Sequence, residues 1–94
     1  MNLVSPSLET LAANYRNTEE HNDQLHRQMT EAAWAESTLA EHRHYVEEHQ
    51  LGFGDPAFHA LWLRVLDAAG RRFPIVRALE IGVFKGQVIS LWAL

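Results

Sequence analysis

The chain has 94 residues, enough for one small domain, and its 47% apolar and 21% charged residues make a globular composition, not a disordered one. It contains no cysteine, which excludes a disulfide framework and a thiolate metal site. The net charge of −4 is unevenly placed: residues 1–51 hold three Lys/Arg against nine Asp/Glu, and residues 52–94 hold five against three.

The acidic half argues against nucleic acid as a partner and reads as a solvated helical face. Arg71, Arg72, Arg77 and Lys85 are too few to form a basic groove. No apolar run approaches the roughly 20 residues of a membrane span. The start, Met1 to Pro6, lacks the basic end and apolar core of a signal peptide, so a cytoplasmic address is the default expectation.

Residues 5–20 read as a first helix. Ser5 is placed to cap it and Pro6 suits its first position. Leu8, Leu11, Ala12 and Tyr15 recur at helical spacing on one narrow face.

Residues 23–50 read as one long helix, with Asn22 or Asp23 as its cap and Gly52 as its stop. Its seam runs Leu25, Met29, Ala32, Leu39, Val46 in steps of three and four, and Glu36 and Arg43 fall on the same seam. Those two charged layers make a poor coiled coil, and a long polar helix packed loosely on a larger body fits better. Trp34 and Tyr45 lie off the seam, placed to meet another surface.

Five of the six histidines, His21, His26, His42, His44 and His49, lie on or beside this helix. His42 and His49 share one face, and His44 and Glu48 share another. No two histidines stand four residues apart, as the zinc-binding His-Glu-x-x-His helix requires, so no metal site is expected. These histidines read as solvated groups that add positive charge as pH falls through about 6.5.

Leu51 to Pro56 is a turn, with Asp55 as a cap and Pro56 at the first position of the next helix. Phe58, Leu61, Trp62, Val65, Leu66 and Ala69 then form the best amphipathic pattern in the chain, a helix over 56–70 ended by Gly70. The stripe reads as core, with His59 at its boundary. Arg71 to Pro74 connects to the β-branched run at Ile75, which reads as a buried strand through Ile81. Gly82 and Gly86 then make a tight turn into an apolar segment that reads as the start of a helix.

The residues Ala78-Leu79-Glu80-Ile81-Gly82-Val83-Phe84-Lys85-Gly86 resemble the first motif of class I S-adenosylmethionine-dependent methyltransferases. That motif sets an acidic residue ahead of closely spaced glycines, between the first strand and first helix of a Rossmann-like sheet. Phe84 stands where the middle glycine belongs. The same wording is also similar to cephalosporin hydroxylase-like relatives of that fold. The resemblance implies that Gly82 and Gly86 line the methionine part of S-adenosylmethionine. Glu80 would reach its amino group through water, and Val83, Phe84 and Lys85 would form the covering loop.

The expectation is therefore an α/β protein by family. Residues 1–52 would be a helical cap or dimer segment. Residues 53–94 would begin a Rossmann-like domain, truncated after its first strand and the start of its helix; the chain itself would be mostly helical with one strand. The implied activity is methyl transfer to a small organic acceptor, with no catalytic base named and the fragment alone inactive. Self-association through the N-terminal helices is the expected assembly. The rival reading is a small helical interaction module without catalytic activity, in which residues 75–82 join a partner's sheet edge or are helical. A nicotinamide-dependent enzyme is a weaker third, because that turn wants glycine where Phe84 stands.

Overall fold

The computed structural model describes residues 6–52 and 54–81. Three of its four described helices begin where a short polar side chain settles a first-turn N–H. Ser7 Oγ accepts from the Thr10 N–H at 3.3 Å and opens α1, Leu8–Asn14. Thr18 Oγ1 accepts from the His21 N–H at 3.1 Å and opens α2, Glu19–Ala35, with Glu19 and Glu20 at the positive end of its dipole. Asp55 Oδ1 accepts from the Ala57 N–H at 2.9 Å and opens α4, Pro56–Arg72. The exception is α3, Ser37–Glu48, whose preceding residue Glu36 makes no capping hydrogen bond with its side chain.

These starts correct three expectations. The first helix is shorter than 5–20, since Ser7 caps it in the role expected of Ser5, which lies outside the described residues. The second starts at Thr18, which satisfies an N–H that Asn22 and Asp23, already inside the helix, cannot. The long helix over 23–50 is in fact two. Glu36 leaves helical geometry at φ −81° and ψ 114°, and the ladder resumes with the Ala40 N–H donating to the Glu36 carbonyl at 2.9 Å. The bend lets both halves set their seam against the same neighbour, α4.

The end of α3 also differs from the expectation at Gly52. Gln50 takes the left-handed position, at φ 54°. The Gln50 N–H donates to the Glu47 carbonyl at 3.2 Å and the Leu51 N–H to the Val46 carbonyl at 3.0 Å, the paired bonds of a Schellman end. Helix α4, in turn, passes through Gly70 and stops at Arg72.

The core is made of Met29, Ala32 and Ala33 from α2, Leu39 from α3, and Ala57, Ala60 and Leu63 from α4. Leu11 of α1, together with Leu25, Leu61 and Leu66, packs on its edge. Small residues face small residues across α2 and α4, so the two backbones approach closely and Met29 and Leu63 fill the remaining space. The seam expected from the sequence is therefore real: Met29, Ala32, Leu39 and Val46 are all buried.

The aromatic members of the α4 stripe are not the core they were expected to be, although Leu61 and Leu66 pack on its edge. Phe58 is 58% exposed and Trp62 43% exposed, while the buried side of the helix carries Ala57, His59, Ala60, Leu63, Arg64 and Ala68. The reason is steric and electrostatic. The alanine side admits α2 more closely than the aromatic side can, and only that side brings Arg64 to Glu36.

The α/β fold class is overturned. The described residues hold four helices and no strand, and residues 75–81, expected as the first strand, form no regular element. Their β-branched pattern suits a strand, but among the described residues nothing pairs with their backbone groups, and a strand without a ladder is not stable. Leu79 and Ile81 are correspondingly 83% and 91% exposed. Among the described residues no helix is long and apolar enough to cross a membrane.

Candidate functional site

Phe73 ends α4 in extended geometry, its N–H donating to the Ala69 carbonyl at 2.9 Å, and Pro74 prevents the helix from continuing. The chain then runs back along the outer side of α4. Between them lies an open groove of about 480 Å³, within the size range of ligand clefts. Trp62, Val65, Leu66 and Ala69 form one wall, and Val76 through Ile81 form the other. Among the described lining residues the charged ones are Arg77 and Glu80.

Glu80 is the one member of the sequence-predicted cofactor set that the structure describes. It is half-buried beside the groove, and its Oε1 is shielded from solvent without a hydrogen-bond partner. Gly82, Val83, Phe84, Lys85 and Gly86 lie outside the described residues. Apolar walls with one cation and one anion make this groove a binding surface in character.

A second polar cluster, inside the helical body, was not expected. Arg64, fully buried on α4, donates from Nη2 to Glu36 Oε1 at 2.8 Å, from Nη1 to the Ala60 carbonyl at 2.9 Å and from Nε to the Pro6 carbonyl at 2.9 Å. One guanidinium thus ties α4 to the α2–α3 bend and to the segment before α1. The signal was visible as a charged residue, Glu36, on an apolar seam. Its partner lay 28 residues away, inside the one strongly apolar helix.

Beyond this pair stand two histidines that the sequence reading placed at a boundary or in solvent. His59 is 2% exposed and His42 is 8% exposed, and their rings meet edge to face at 5.8 Å. Burial, followed by the nearby charge of Arg43 and by His42, lowers the His59 pKa to about 4, with Asp55 opposing. The Arg43 guanidinium donates to the Gly54 carbonyl and, at 2.9 Å, to Glu47. His26 of α2 meets Asp55 at 2.7 Å. That bond, and the Ala57 N–H, hold the Asp55 carboxyl below its ordinary range.

His44 and His49 are exposed, their rings tilted against Trp34 at 5.2 Å and Tyr45 at 4.3 Å, and half-buried His21 meets Tyr15 edge to face at 5.5 Å. Among the described residues no three His, Asp or Glu side chains gather as a metal site would require. Comparison with known proteins assigns no family: no family model, no curated protein and no solved structure matches this chain.

Proposed function

We propose that the chain is a helical interaction module that pairs with a second copy of itself through the outer face of α4. The observation that carries this is the direction of α4: its core side is already filled, while Phe58, Trp62 and Val65 stay exposed on the other side, the last two at the rim of the groove that residues 76–81 border. The stripe is self-complementary. A two-fold axis at the middle of the helix sets Phe58 opposite Ala69 of the second copy and Trp62 opposite Val65, large against small at each level. The same register sets Asp55 opposite Arg72, and antiparallel helices oppose their dipoles favourably. The groove beside Ala69 offers the facing Phe58 a place to bury its ring. This assembly uses α4 in place of the N-terminal helices that the sequence suggested.

Sedimentation equilibrium tests it. A concentration-dependent dimer is expected, and Trp62→Glu should give a monomer of unchanged helicity, because it sets a carboxylate against Val65 in the centre of the contact. A wild-type chain that stays monomeric at high micromolar concentration rejects the reading.

A second reading rests on the residues around Glu80. In it the chain contributes to binding S-adenosylmethionine in a protein that methylates a small organic acceptor, with Glu80 toward the cofactor's amino group. The shielded, partnerless Oε1 of Glu80 favours it, since such an atom gains from an ammonium or an ordered water. On this reading the chain alone binds cofactor weakly and turns nothing over. Calorimetric titration with S-adenosylmethionine decides: saturable heat that Glu80→Ala abolishes supports it, and heat that survives the substitution or never appears removes it.

A further inference from the structure

Helix α3 is held to the body by three buried side chains, Leu39, His42 and Val46, and the middle one is a histidine. Facing it from α4 is a second buried histidine, His59, whose Nε2 has no hydrogen-bond partner. A chain that needed only adhesion at this level would set two aliphatic side chains there. Two imidazoles pack edge to face when neutral and repel when both are charged.

We propose that His42 and His59 form an acid-sensitive latch, closed at neutral pH and opened when protons enter, which releases α3 from α4. The charged groups around His59 give the latch its direction. From α3 come His42 and Arg43; the Arg43 guanidinium is anchored on the Gly54 carbonyl and stands as a fixed cation near the ring. From the turn before α4 comes Asp55, whose charge favours a protonated His59. Asp55 is already engaged by His26 of α2 and by the N–H of Ala57. The acidic group at the α2–α3 bend, Glu36, is bound by Arg64 of α4. Glu9 of α1 pairs with Arg71 near the other end of α4. A proton on His59 therefore meets more cation than anion.

The low affinity of His59 for a proton, set first by burial and then by Arg43 and His42, agrees with this geometry.

Two measurements test the latch. The first is nitrogen-15 NMR of the histidine rings in the wild-type chain. With the latch closed, the His59 ring stays neutral well below pH 6, and its protonation coincides with loss of α3. A ring that titrates near the ordinary 6.5 while α3 stays protected overturns the proposal. The second is hydrogen exchange at the α3 amides, corrected for intrinsic rate. Protection should fall by up to about tenfold per pH unit between about 6.5 and 4, one proton being taken up on opening. Core amides of α2 and α4 should remain at least about tenfold better protected at the acid end, as local opening requires. In His59→Phe, which keeps a ring at the site, the α3 slope should flatten. An unchanged slope in that variant, or equal protection of all helices at pH 4.5, overturns the latch.

Discussion

At the residue scale the strongest single commitment is the Arg64–Glu36 pair. Arg64 is fully buried and donates hydrogen bonds to Pro6, Ala60 and Glu36, in three parts of the chain. Removing one member of a buried pair strands the other charge in a poorly solvating interior, at a cost of about 3–5 kcal/mol. Arg64→Met should therefore lower stability in urea by about that amount. The double variant Arg64→Met with Glu36→Leu should recover much of the loss, since no charge is then stranded. A double variant no better than the single one would show that the bonds to Pro6 and Ala60 dominate. His59 acts at the same scale through protons. Its folded pKa, about 4, lies below the unfolded value near 6.5. The unfolded chain thus binds the proton more readily, so the ring's contribution is full above about pH 6.5 and is lost as pH falls toward 4. Linkage sets that loss at about 3 kcal/mol at most. Urea midpoints measured across this window should fall with acid, and rising midpoints would contradict the sign.

At the element scale the helices show which local rules the chain obeys. Gly70 sits inside α4, and a Cβ added there would meet nothing within 4 Å. Gly70→Ala should therefore stabilise the chain by about 0.5–1 kcal/mol through helix propensity. Gln50 occupies the left-handed position at the end of α3, which a side chain disfavours. Gln50→Gly should stabilise by up to about 1 kcal/mol, and Asp55→Ala, which removes both the α4 cap and the partner of His26, should destabilise by at least about 1 kcal/mol. Thermal melts of the three variants check the signs together. These features explain why element boundaries were only partly legible. The Asp55-Pro56 start followed from side-chain chemistry three bonds away. The α2–α3 break did not, because Glu36 leaves the helix where its carboxylate reaches an arginine 28 residues on.

At the scale of the whole molecule, among the described residues, α1, α2 and α3 pack on one side of α4, and Phe58, Trp62 and Val65 stay exposed on the other. Exposed residues in isolation are ordinary, but Phe58, Trp62 and Val65 share one stripe and continue into Val76, Leu79 and Ile81 across the groove. If a second copy covers that stripe, association and folding are linked. The wild-type melting temperature should then rise with protein concentration, and that of Trp62→Glu should not. Independence of concentration in both proteins would separate the exposed stripe from any pairing role.

The sequence by itself determined that the chain is largely helical, where α4 begins, and which residues line the α2–α3 seam. Each of these depends on spacing or on groups a few bonds apart. Local pattern also marked Glu36 as a charge on an apolar face, without naming its partner. The tertiary structure alone decided which side of α4 became core, that two histidines would be buried against each other, and that residues 75–81 form no strand. The physical reason is common to all three. A helical stripe, a histidine and a β-branched run each have two stable fates, and the choice rests on whether a distant surface arrives to pack, desolvate or hydrogen-bond them. Here α2 arrived at the alanine side of α4, α3 arrived over His59, and among the described residues no strand arrived beside Ile75 to Ile81.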